Sequence, residues 1–283
     1  MELPFTPDFN GKTAVITGGA GILCSMFARA LGQCGAKVAI LDLAEDKAQQ
    51  ISDEITAAGG IAMGVKCNVL ENNSVEEAHS VVSAAYGKCD ILINGAGGNA
   101  PKATIDDEFF DASAIETPEK KSFFDLDPAG VSFVFGLNFI GTLLPTQVFA
   151  KDMVGRQGCV ILNVSSMSAF KPLTKVVAYS AAKAAISNFT QWLAVYFAKS
   201  EIRVNAIAPG FFSTAQNEAL LWNADGTPTA RTAKILGHTP MGRFGVPEDL
   251  LGTLLWLLDN KSSVFVTGVV VPVDGGFAAY SGV

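Results

Sequence analysis

The sequence predicts an α/β protein: one doubly wound domain, residues 1–283, on a seven-stranded parallel sheet with helices on both faces. Two observations lead there. Short β-branched runs alternate with helical patterns from end to end, with no linker, repeat or low-complexity stretch between them. The runs are apolar at successive positions, as in strands covered on both sides, and strands separated by helices pair in parallel.

The first run, KTAVIT (12–17), leads through a glycine-rich turn into an apolar helical pattern near 22–34. KVAIL (37–41) follows, then an amphipathic stretch at 45–58, IAMGVKC (61–67), a second amphipathic stretch at 74–86, and DILI (90–93). A long polar segment with scattered aromatics, 98–128, precedes an apolar helix predicted at 129–154. GCVILN (158–163), a helix at 179–198 and IRVNAIA (202–208) come next. A second long connection, 211–243, a helix at 247–258 and VTGVVVPV (266–273) complete the order. Connections this long are usually functional or disordered, and both follow strand C-terminal ends, where α/β sheets bind ligands.

Bulk properties narrow the function. Charged residues are 17% and hydrophobic ones 49%, with a mean hydropathy of +0.33, which points to surface buried between subunits. A net charge of −7 argues against nucleic acid or an anionic membrane as partner. No apolar run is expected to reach the roughly 20 residues that span a bilayer, and the N-terminus reads as no signal peptide. The cysteines (24, 34, 67, 89, 159) lack CxxC spacing and read as small core residues in a reducing cytoplasm. His79 and His238 are far apart, so no metal site is expected.

The chemistry concentrates at AYSAAKAAISNF, where Tyr179 and Lys183 stand four residues apart and share a helix face. A cation beside a phenol favours the phenolate and moves a tyrosine towards acid/base work near neutrality. Ser166, thirteen residues upstream, can steady a reacting oxygen. A surface helix with an unrelated Tyr and Lys satisfies the same spacing, so the first strand–turn–helix of the chain bears on the choice. There, Gly19 and Gly21 open a helix after the first strand, the context in which a tight turn admits a pyrophosphate to a helix N-terminus. Cys24 stands at the third glycine position of that pattern. Asp42 ends the second strand, where a carboxylate accepts hydrogen bonds from an adenine-ribose diol and repels a 2′-phosphate, favouring NAD(H). The same Asp could instead cap the next helix.

With these residues assembled, the chain resembles the short-chain dehydrogenase/reductase superfamily almost end to end, which implies a Rossmann fold. The family's TG-x-x-x-G-x-G pattern is met in part by Thr17 and Gly18, with Ile22 and Cys24 where later glycines would stand. Asn68-Val69 takes the place of its adenine-contacting Asp-Val, and Asn94-Gly95-Ala96-Gly97 that of its N-N-A-G. Its catalytic Asn, Ser, Tyr and Lys match Asn138, Ser166, Tyr179 and Lys183, and its Pro-Gly motif with a later Thr matches Pro209, Gly210 and Thr214. The resemblance implies that Tyr179 exchanges the proton, Ser166 bonds the reacting oxygen, Lys183 lowers the tyrosine pKa and holds the nicotinamide ribose, and Asn138 holds a relay water. The implied cofactor contacts are Gly18, Gly19, Gly21, Ile22, Leu23, Asp42, Asn68, Val69, Asn94, Ala96, Gly97, Tyr179, Lys183, Pro209, Gly210, Phe212 and Thr214.

Within the superfamily, GAGGNAPKAT, NAIAPGFF and NADGTPTARTAKILGHTPMGRFG resemble the branch of D-mannonate oxidoreductases, or fructuronate reductases. That implies reduction of D-fructuronate to D-mannonate. A sugar acid needs a cation and several polar groups; the candidates are Asn99, Lys102, Ser168, Lys171, Lys175, Gln216, Asn217 and Arg231. Arg243 is read as organising the helix start at Pro247. A gluconate 5-dehydrogenase-like enzyme, a 3-ketoacyl reductase and a non-catalytic NAD-binding sensor stay open. The family habit and the apolar helices 129–154 and 179–198 imply a homotetramer.

Overall fold

Seven parallel strands run in the order β3-β2-β1-β4-β5-β6-β7 in a computed structural model that describes residues 1–214 and 221–282. They are β1 (Thr13–Thr17), β2 (Lys37–Asp42), β3 (Ile61–Lys66), β4 (Ile91–Asn94), β5 (Val160–Val164), β6 (Arg203–Pro209) and β7 (Val270–Val273). The helices are α1 (Ile22–Gln33), α2 (Glu45–Ala57), α3 (Asn72–Tyr86), α4 (Pro128–Phe135), α5 (Gly141–Met153), α6 (Val177–Phe197), α7 (Ala230–Gly237) and α8 (Leu251–Leu258). Because side chains alternate across a strand, the apolar runs serve two cores. Ala14 and Ile16 pack with α1, α2 and α8, while Val15 faces α3, α5 and α6. Strand order reverses between β1 and β4, which opens a crevice at their C-terminal ends.

Several expectations change. The run Pro128–Met153 is 26 residues long and apolar enough, by length and composition, to cross a bilayer, although no such stretch was expected. Half of its most apolar window is buried inside the fold, and Val148, Phe149 and Met153 pack into the core against the sheet. The helix is also not uniform, because Gly136–Ile140 forms a π turn between α4 and α5. There the Asn138 side-chain amide donates to the Val134 carbonyl four residues back at 2.8 Å, competing with the regular ladder.

The seventh strand is four residues rather than eight. Side chains of β6 replace its missing rungs: Arg203 and Asn205 donate to the Val266 carbonyl at 3.1 and 3.0 Å, and Asn205 Oδ1 accepts from Val269 N–H. Segment 98–128 folds into three short 3-10 turns. Within 211–243, an amphipathic helix not anticipated from the sequence, α7, starts where the Thr229 hydroxyl accepts from Thr232 N–H.

Candidate active site

The glycine turn is shaped by its neighbours. Gly18 has φ +61°, and a Cβ there would lie 2.7 Å from the Ala96 Cα. A Cβ on Gly19 would meet Ile40 Cγ2 at 2.8 Å. Helix α1 begins at Ile22 with Gly21 as N-cap and no side-chain cap, so the first N–H groups, including those of Ile22 and Leu23, face the crevice as an anion cradle. Cys24, at the third glycine position, fits because its partner Gly95 carries no side chain. A Cβ on Gly95 would sit 2.2 Å from Cys24 Sγ.

Asp42 sits at the end of β2, between the glycine turn and the start of α2. One oxygen accepts from Ala44 N–H at 2.9 Å, close to a helix cap, and the other accepts from Ala20 N–H at 3.0 Å, tying the glycine turn to β2. Each oxygen keeps a further lone pair for a diol. Asn68 is held by its own turn: Oδ1 accepts from Leu70 N–H at 3.1 Å and the amide donates to Glu71 at 2.7 Å. Val69 is buried in the core and touches Gly141. The side chain of Asn94 is no cofactor contact. It is 1% exposed, and its amide bonds Thr146 and Asn163, each at 2.9 Å, inside the sheet. Pro209 ends β6, and Gly210 passes so close to Asp274 that a Cβ would lie 2.6 Å from that Cα. Phe212 pairs with Gly245 beyond it, leading to Thr214.

At the chemical end, Gly97 brings its backbone onto two candidate groups: a Cβ there would be 2.7 Å from Asn138 Oδ1 and 3.1 Å from Lys183 Nζ. Asn138 is fully buried. Its amide donates to the Gly98 and Val134 carbonyls at 2.7 and 2.8 Å, and Oδ1 accepts from Gly98 N–H at 3.3 Å. Its side chain therefore anchors the loop after β4, while its carbonyl accepts from the Thr142 hydroxyl at 2.9 Å. The Lys183 ammonium donates to the Val164 carbonyl at 2.8 Å and lies 5.6 Å from the Tyr179 ring centroid.

The electrostatics differ from the expectation that Lys183 pulls the tyrosine down. Burial pushes the Tyr179 phenol up, and a hydrogen bond from Ser166 works against that rise. Lys183 is itself desolvated, which pushes its pKa down to about 8. In this arrangement the hydroxyl of Ser166 is the group that favours the phenolate.

The substrate candidates separate. Asn99 is exposed, and Lys102 is exposed and ion-paired with Asp127 at 3.7 Å. Ser168 is 1% exposed, and its hydroxyl donates to Ser166 Oγ at 3.0 Å. Gln216 and Asn217 lie outside the described residues. Lys171, Lys175 and Arg231 line one cavity of about 610 Å³, formed by the segment that leads into Tyr179, by α7 and by the C-terminal stretch. That cavity also holds residues not anticipated: Glu108, Lys234, His238, Phe277 and Tyr280. Lys234 pairs with Glu108 across the cleft, and the Lys171 ammonium donates to the Tyr280 carbonyl. Lys234 and His238 stand one helical turn apart, a spacing visible in the sequence once α7 is recognised. Arg243 grips Asp249 through two bonds of 2.6 and 2.9 Å and organises the turn at Pro247.

The sequence profile of the short chain dehydrogenase family matches residues 12–224. An uncharacterized oxidoreductase of Haemophilus influenzae is 56% identical over 283 residues, covering 100% of this chain and 99% of that protein. A 2-dehydro-3-deoxy-D-gluconate 5-dehydrogenase of Formosa agariphila is 32% identical, covering 97% of this chain and 96% of its own length. A crystal structure with bound NAD, of a Haemophilus protein provisionally named a D-mannonate oxidoreductase, superposes with a TM-score of 0.94 at 57% identity and 98% coverage of both chains. Fold, site geometry and these likenesses agree: the chain belongs to the short-chain dehydrogenase/reductase family of oxidoreductases, which act on alcohol and ketone groups.

Proposed function

We propose that this protein is an NAD(H)-dependent oxidoreductase that interconverts the ketone and secondary alcohol of a sugar acid, with D-fructuronate and D-mannonate as the pair. The observation that carries the substrate class is the cavity: Lys171, Lys175, Arg231 and Lys234 surround it against one carboxylate, Glu108. Such a lining suits an anionic, hydroxyl-rich ligand better than a steroid. The NAD-bound relative with its provisional D-mannonate name supports the same reading.

The residues at the glycine turn fit a dinucleotide. The open start of α1 would hold its pyrophosphate, Asp42 its adenine ribose, and the backbone at Gly97 together with Lys183 its second ribose. When bound, the nicotinamide accepts or donates the hydride. The protein does the rest: Tyr179 passes a proton to or from the substrate oxygen, Ser166 donates to that oxygen, and Asn138 holds the Gly98 loop against Lys183. Segments 98–128 and 211–243 supply the substrate side.

We also assign a homotetramer in the cytoplasm. Phe189, Trp192 and Tyr196 stack along α6 with centroid spacings of 6.3 and 4.8 Å, and the Trp192 and Tyr196 side chains are more than half exposed. A monomer by light scattering contradicts the assembly. The substrate is tested by NADH absorbance with fructuronate, tagaturonate, 5-ketogluconate and an acetoacetyl thioester. Reduction of the thioester alone overturns the sugar-acid assignment. Within the first three, Lys234→Ala should raise KM about tenfold, as loss of a charge-assisted bond requires.

A further inference from the structure

We propose that Ser168 is a positioning residue that fixes the Ser166 hydroxyl as a one-way donor towards the reacting oxygen. The proposal rests on the roles given above to Tyr179 and Ser166. Ser166 follows β5 and caps the short turn Met167–Ala169. Its Oγ accepts from Ser168 N–H at 3.2 Å and from the Ser168 hydroxyl at 3.0 Å. A serine hydroxyl has two lone pairs and one proton. Both lone pairs are engaged, so the proton is what Ser166 has left to offer.

That proton is the one available on the Tyr179 side, where Ser166 works against the rise that burial imposes on the phenol. The direction matters for turnover. If Ser166 could accept, Tyr179 could donate to it, and the proton needed by a substrate carbonyl would be tied up in the wrong bond. Two donors on one oxygen also polarise its O–H and strengthen what it donates. Ser166 and Ser168 are 7% and 1% exposed, so bulk water is poorly placed to substitute for the second donor.

The Ser168 hydroxyl is separable from the turn that carries it. Ala169 N–H to the Ser166 carbonyl and Phe170 N–H to the Met167 carbonyl, both 3.0 Å, close the turn through backbone alone. The Ser168 N–H bond to Ser166 is also a backbone donation. Ser168→Ala therefore removes one donor and leaves the local fold intact.

The test is steady-state oxidation of D-mannonate by NAD across pH, for wild type, Ser168→Ala, Ser168→Cys and Ser166→Ala. Should D-mannonate not turn over, the alcohol of whichever panel ketone is reduced takes its place. Ser168→Ala should lower kcat about five- to tenfold, the worth of one buried hydrogen bond, with KM within twofold. The ionisation on the acidic limb should rise by about half a unit, because a weaker donor favours the phenolate less. Ser168→Cys keeps the volume but offers a weaker donor and should fall between. NADH affinity and melting temperature separate this from misfolding, and if the alanine enzyme loses NADH binding the cysteine enzyme decides. A wild-type kcat and unmoved profile in the deciding variant overturn the proposal, as does a rise in KM alone, which would make Ser168 a substrate contact. An unimpaired Ser166→Ala enzyme overturns instead the reading beneath it.

Discussion

Gly95 and Cys24 each depart from the family pattern, and they touch, so one mutation should expose the other. A Cβ at position 95 would lie 2.2 Å from Cys24 Sγ and 2.9 Å from the Thr17 carbonyl. Ordinary contact needs about 3.5–4.0 Å, and Cys24 is 5% exposed in the first turn of α1, with little room to retreat. Gly95→Ala should cost about 2–3 kcal/mol, the upper part of the range for overpacking. The Cys24 Cβ, by contrast, stands 3.6 Å from the new carbon, an acceptable contact. Cys24→Ala should alone cost about 1 kcal/mol for lost packing, yet recover much of the Gly95→Ala loss when combined with it. The Thr17 carbonyl limits the recovery, so the coupling energy should be about 1–2 kcal/mol. Urea denaturation of the nucleotide-free protein gives all four stabilities. If Gly95→Ala is within about 0.5 kcal/mol of wild type, or the two losses simply add, the explanation of the altered glycine turn is wrong.

Asp42→Ser should raise the ratio of kcat/KM with NADPH to that with NADH at least tenfold, since a carboxylate about 4 Å from a phosphate is repelled by several kcal/mol near a surface; an unchanged ratio would contradict the role of Asp42. Burial lowers Lys183 from 10.5 to about 8, so between those values the unfolded chain holds a proton that the folded one has lost, and stability rises with pH through that window. Below about pH 8 both states are protonated and the slope from this group vanishes. Lys183→Met should abolish the rise of about 2–3 kcal/mol, and equal slopes for the two proteins in urea titrations between pH 8 and 10 would refute it. Trp192→Glu should dissociate the proposed tetramer, read by light scattering.

The sheet was legible because its central strands are largely apolar at successive positions, the pattern of a covered parallel sheet. The shortened β7 was not, since VTGVVVPV reads as one strand until Arg203 and Asn205 are seen to claim the Val266 carbonyl. The Tyr179, Lys183 and Ser166 set was visible in spacing, because a helix turn and a strand end fix it locally. Its electrostatics were not: spacing places Lys183 near the phenol but says nothing of the burial that lowers its own pKa. The role proposed for Ser168 depends on a turn geometry that brings its hydroxyl back to Ser166. The cavity drew Glu108, Lys234 and Tyr280 together from three distant segments, and only tertiary packing could do that.

The role proposed for Tyr179 is proton transfer in an NAD-linked carbonyl reductase. It is tested most directly by NADH oxidation with D-fructuronate, comparing wild type with Tyr179→Phe after NADH binding to both has been measured by fluorescence. NADH affinity should stay within about threefold and kcat should fall at least a hundredfold, the lower range for general acid catalysis. Comparable turnover by the phenylalanine enzyme would contradict it.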